Sequence, residues 1–194
     1  METVPGLLWA RPWWVNAVLT VPLATWTLYR RGSGLDQPTA VAVSLFALAM
    51  GFLEAATVVY LRAATGLLTP TQTPRALMEA IPARLLRIEM YREAATLVML
   101  ICLAWLSARM LRTRLAVFLL SFAIWDLTYY AGLRVLIGWP VSLADVDVLF
   151  LIPVPWVARV WYPVAVSLFT AAGVLVPTFR KTTSSSAHGS EKLG

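Results

Sequence analysis

The sequence predicts an all-α integral membrane protein with five transmembrane helices and one short external helix, interfacial or re-entrant. Three observations predict it. The 194 residues are 59% hydrophobic and only 13% charged, with a mean hydropathy of +0.72, whereas a soluble domain carries charge on about a quarter of its positions. Apolar runs long enough to cross a ~30 Å hydrocarbon core recur along the chain. Arginines gather at the ends of those runs and not along one face, which is how topology signals are distributed.

The first span is expected over residues 15–29, short but flanked by Trp13, Trp14, Trp26 and Tyr29, residues of the type that sits at headgroup level. The second is expected over 39–61, the third over 94–110 and the fourth over 115–137. A fifth, near 157–176, holds Pro163 in its first half, so the proline either kinks that helix or stands at its first position. Arg30-Arg31 follow the first span, Arg109, Arg112 and Arg114 join the third to the fourth, and Arg180-Lys181 follow the fifth. Positive-inside reasoning puts these connections in the cytoplasm, the N-terminus outside and the C-terminus inside. Residues 62–93 are then external, where Arg75, Arg84, Arg87 and Arg92 run against the rule but share the segment with Glu79, Glu89 and Glu93.

Between the fourth and fifth spans, "SLADVDVLFLIPVPWVARVWY" would make a sixth span only by burying Asp145, Asp147, Arg159 and two prolines. The favoured alternative has Ser142 capping a short helix, with Asp145 at capping-box spacing and a stop before Pro153. Pro82 opens a further helical piece, "PARLLRIEMYREAA", that can run into the third span and places Glu89, Arg92, Glu93 and Thr96 on one stripe. The opening "METVPGLLWARPWW" lacks the marks of a cleaved signal and is expected to be retained. Residues 1–181 are expected to form one helical bundle and the Ser-rich 182–194 a disordered cytoplasmic tail.

Composition narrows the function classes. The +6 formal charge comes without a basic patch interleaved with aromatics, so nucleic acid is not an expected partner. A lone cysteine, Cys102, in "TLVMLICLAWL" supports neither a disulfide framework nor a thiolate metal site. The lone histidine, His188, belongs to the tail, which argues against b-type haem and histidine-based zinc or copper sites. The carboxylates could offer oxygen ligands to Mg²⁺ or Mn²⁺, but no paired-carboxylate helix motif is present. No phosphate loop, nucleophile elbow or H-E-x-x-H occurs, and no metal or cofactor is expected.

Polar residues inside the apolar runs carry the functional expectation. Glu54 in "GFLEAATVVYLR" and Asp126 in "IWDLTYYAGLR" each precede an arginine by eight residues, Arg62 and Arg134. That spacing puts acid and base on one helix face about 12 Å apart, too far to pair within the helix. A shift of 72 aligns Glu54 with Asp126, Leu61 with Leu133, Arg62 with Arg134 and Gly66 with Gly138, a weak internal repeat of the parallel kind. An ionised acid in mid-span costs about 2.5–3.5 kcal/mol on insertion scales. Either these acids pair with arginines of neighbouring helices and set packing, or they line a polar cavity. The expected ligand-binding set is Glu54, Arg62, Glu89, Arg92, Glu93, Asp126, Tyr130 and Arg134, all in the outer half, with Tyr130 between Asp126 and Arg134 on their stripe.

The block "WDLTYYAGLRVLIGWPVSLADVDVLFLIPVPW", with "EAATVVYLR" and "REAATLVML", resembles a group of small multi-pass bacterial membrane proteins of no assigned activity. The resemblance spans about half the chain and implies a bacterial inner-membrane location, with no catalytic role to transfer. The reading favoured by the residues is a protein that binds a small molecule or lipid headgroup in an outward-open polar pocket, compatible with transport. The alternatives are a structural or assembly subunit with a membrane-protein partner, and an enzyme acting on a lipid-linked substrate with Glu54 or Asp126 as general base.

Overall fold

A computed structural model describes residues 9–66 and 82–190; residues 181–190 are described as backbone only. Arg75 and Glu79 therefore lie outside the described residues. A 3-10 helix, Trp13–Thr20, leads directly into α1, Val21–Tyr29. Then come α2, Gln37–Ala64; α3, Ala83–Ser107; α4, Leu111–Ile137; strands β1, Val146–Phe150, and β2, Trp156–Arg159; and α5, Trp161–Ser190. The described residues are mostly helical, and among them four helices, α2 to α5, are long and apolar enough to cross a membrane. Five had been expected; the first apolar run is divided between 3-10 and α geometry, with Pro22, which has no N–H to donate, in the first turn of α1.

Helix boundaries follow local chemistry. The Asp36 carboxylate accepts from the Thr39 amide at 3.0 Å and so caps α2. Pro82 precedes α3, which runs unbroken from the surface into the third apolar run. Gly138, at φ 71°, ends α4 in the left-handed conformation that glycine tolerates, and Gly66, at φ 72°, follows α2 in the same way. Pro163 stands in the first turn of α5, where no intrahelical N–H bond is lost, so it does not kink the helix. Pro177 is the proline inside that helix. α5 continues to Ser190, through part of the expected tail, and residues 191–194 lie outside the described residues.

The expected short helix after α4 is instead an antiparallel hairpin, with Val146 opposite Arg159, Asp147 opposite Ala158, and an irregularity between Val148 and Phe150. The alternating "DVDV" with β-branched residues suits a strand, and Pro153 and Pro155 force the turn. The capping contacts form but no helix follows: Asp145 Oδ2 reaches back to the amides of Val141 and Ser142 at 2.7 and 3.1 Å and Ser142 Oγ accepts from the Ala144 amide at 3.1 Å, closing a turn that leads straight into β1. Arg11 adds to the free edge of β2, exchanging two 2.8 Å backbone bonds with Val157.

α2 and α4 form the closest-packed helix pair and run parallel: Gly51 faces Trp125 and Thr128, and one turn on Ala55 faces Gly132. A Cβ on Gly51 would lie 2.5 Å from the Trp125 carbonyl oxygen, and one on Gly132 2.7 Å from Ala55 Cβ. These glycines set how near the two backbones come, as small residues do between membrane helices. Gly51→Ala is expected to force the pair apart and cost about 1–3 kcal/mol, read as a lowered unfolding midpoint in mixed micelles. An unchanged midpoint would show that the interface yields freely.

One end of the bundle is basic. Arg30, Arg31, Arg109, Arg112, Arg114 and Arg180 lie there, where Tyr29 Oη donates to the Arg112 carbonyl at 2.9 Å and Ser33 meets Thr178 at 2.6 Å. The C-termini of α2 and α4, the N-termini of α3 and α5, and the hairpin occupy the opposite end.

Candidate functional site

A cavity of about 110 Å³ opens near the hairpin end, walled by α2, α3, α4 and β1. Its volume suits a few waters or one small polar group. α2 contributes Glu54 and Arg62; α3 contributes Glu89, Arg92, Glu93 and Thr96; α4 contributes Trp125, Asp126, Tyr129 and Tyr130; β1 contributes Asp147. Seven of the eight expected ligand-binding residues meet here although they come from three separate helices.

Arg134 is the eighth, and it lies elsewhere. Its side chain is exposed and turns along its own helix end, Nη1 donating to the carbonyls of Gly138 and Pro140 at 2.6 and 3.1 Å. It thus satisfies carbonyls left open where α4 ends. The repeat-related Arg62 behaves differently: it is buried, and its guanidinium sits 4.8 Å from the Trp139 ring centre. Of the residues expected to act jointly, Glu54, Arg62, Asp126, Tyr130 and Arg134, the cavity brings together all but Arg134.

Arg92 is the hub of the α3 wall. Its Nη1 pairs with Glu54 of α2, while Nε and Nη2 reach Glu89 Oε2 at 2.8 and 2.7 Å. Thr96 Oγ1 adds a 3.3 Å bond to the other Glu54 oxygen. The like charges of Glu89 and Glu93 are separated by function: Glu89 takes the arginine, and Glu93 accepts the Leu151 amide through both oxygens, at 3.2 and 2.9 Å. Glu93 thus pins the turn end of the hairpin to α3, making the hairpin the cover of the cavity.

On the opposite wall, Asp126 Oδ2 accepts the Ser167 hydroxyl of α5 at 2.8 Å, and Tyr130 Oη donates to Asp147 Oδ2 at 3.0 Å. Burial pushes the Asp147 carboxyl up to about 6, with Arg62 and the Tyr130 hydroxyl pulling the other way. Two buried donors along the cavity, Arg62 Nε and Trp125 Nε1, have no hydrogen-bond partner among the described residues.

Asp147 and Trp125 line the cavity although neither belongs to the expected ligand-binding set. No local pattern marked Asp147: the alternation of "DVDV" separates the aspartates from the valines without saying which face turns inward. Among the described residues no group of His, Cys, Asp and Glu side chains is arranged to hold a metal ion. Compared with known proteins, the chain matches no family model, no curated protein and no solved structure.

Proposed function

We propose that this is a polytopic membrane protein of the bacterial inner membrane that binds a small molecule or lipid headgroup in the cavity beneath the hairpin. The observation that carries the reading is the convergence of seven charged or hydroxyl side chains from three helices, with Asp147 of the hairpin, on one cavity that still holds two unpartnered buried donors. Residues that only cemented helices together would use up their donors on one another.

In the same reading the chain crosses the bilayer five times. Eight 3-10 residues and nine α residues rise about 30 Å together, enough for the hydrocarbon core although neither piece suffices alone. The basic end faces the cytoplasm, which turns the cavity outward. The test is purification in mild detergent followed by mass spectrometry of what is retained. A bound small molecule, lost in Asp126→Asn while membrane insertion stays intact, is the expected result; Arg134→Ala, outside the cavity, retains it. A stoichiometric protein partner with no small molecule would support the assembly-subunit alternative instead.

A further inference from the structure

Beside the polar cavity lies an apolar groove of about 300 Å³ between the first helical run, α3, α4 and α5, with residues such as Val18, Leu97, Phe122 and Ile152 along it. Phe150 of β1 lines both the cavity and the groove, and the Asp126–Ser167 hydrogen bond joins a wall of one to a wall of the other. The groove's surface is apolar almost throughout. Trp156 Nε1 and Thr170 Oγ1 are buried along it without a hydrogen-bond partner among the described residues. In the cavity, five carboxylates (Glu54, Glu89, Glu93, Asp126 and Asp147) face two guanidinium groups (Arg62 and Arg92), leaving three acids in formal excess.

Resting on the binding role proposed above, we infer that the ligand is an amine-bearing phospholipid, with its headgroup in the cavity and one acyl chain along the groove. Each part answers an observation. The ammonium offsets the excess carboxylate charge beside the Trp125, Tyr129 and Tyr130 rings, a setting that favours organic cations. The phosphodiester oxygens accept from Arg62 and Trp125, whose Nε and Nε1 donors are unpartnered among the described residues. The hydrocarbon chain fills the groove, and Phe150 stands at the junction.

The full chain in detergent would be titrated with phosphatidylethanolamine, phosphatidylglycerol of matched chains, or soluble glycerophosphoethanolamine, and adducts measured by native mass spectrometry. Phosphatidylethanolamine should bind at least about tenfold more tightly than either of the others, the worth of one charge-assisted contact or one buried chain. Asp147→Asn should erase the preference over phosphatidylglycerol. Leu97→Trp, which narrows the groove, should weaken the lipid about tenfold and leave the soluble headgroup unchanged. Equal binding of the two lipids would overturn the amine assignment. Equal binding of lipid and soluble headgroup would overturn the acyl groove while sparing the cavity's binding role. If neither ethanolamine compound binds but another small molecule co-purifies, the phospholipid inference falls alone; if nothing binds, both fall.

Discussion

Arg92→Ala should be the most damaging single substitution in the cavity, lowering stability by about 3–5 kcal/mol. Arg92 is the described partner of two glutamates on different helices, Glu54 on α2 and Glu89 on α3. Both acids are largely shielded, with side chains 10% and 11% exposed. Removing the guanidinium leaves two carboxylates desolvated and facing each other, and the penalty is that of the stranded charges, not of the lost contact alone. The same reasoning predicts a rescue. Glu54→Gln and Glu89→Gln added to the Arg92→Ala chain should recover most of the loss, because neutral side chains of similar volume no longer require a counter-charge. Unfolding of the three chains in mixed micelles checks this. If the triple variant is no better than Arg92→Ala, the cost arises from packing of the arginine stem, and the ion network contributes little.

That network also shows how far the sequence could be followed. Hydropathy and the positions of arginine located α2, α3, α4 and α5, because an apolar run long enough to cross a bilayer leaves a signal over twenty residues that tertiary contacts cannot disguise. The stripe of Glu89, Arg92, Glu93 and Thr96 was visible from helical periodicity, and the structure turns it toward Glu54 and the hairpin. The parallel course of α2 and α4 agrees with the aligned Glu54 and Asp126, and both helices are followed by a left-handed glycine. What escaped was decided by partners far along the chain. The shift of 72 matches Arg62 with Arg134, yet Trp139 is placed to stack on one, and the other serves its own helix terminus. The hairpin escaped because S-L-A-D fits a capping box as well as a turn: the Asp145 carboxylate bonds back to the Ser142 amide in either, and only the pairing of the following residues with β2 separates the two. Asp147 depended on that pairing, since its direction is undefined until the segment is a strand.

Asp147→Asn is expected to stabilise the protein at neutral pH while impairing the site. The carboxyl is 6% exposed, and its pKa is raised by burial from 3.8 to about 6. A raised carboxyl pKa means that the fold favours the neutral form. Below about pH 4 the group is protonated whether the chain is folded or not, and its ionisation costs the fold nothing. Between about pH 4 and 6 the unfolded chain ionises first, so stability falls as pH rises; above about 6 the full cost is present, about 3 kcal/mol for a shift of this size. Asparagine is nearly isosteric, can still accept the Tyr130 hydroxyl, and never ionises. The variant should therefore exceed the parent by up to about 3 kcal/mol at pH 7.5 and match it near pH 4, a difference in which the other titrating groups largely cancel. Arg62 is the residue that keeps the gain from being larger, since its charge favours the ionised aspartate and would be left less compensated by the amide. A gain independent of pH would point to repacking beneath the hairpin, and a loss at pH 7.5 would mean that Arg62 needs the charge more than burial resists it. A stabler variant that has also lost its ligand would mark Asp147 as a group held at a cost to the fold because binding requires it.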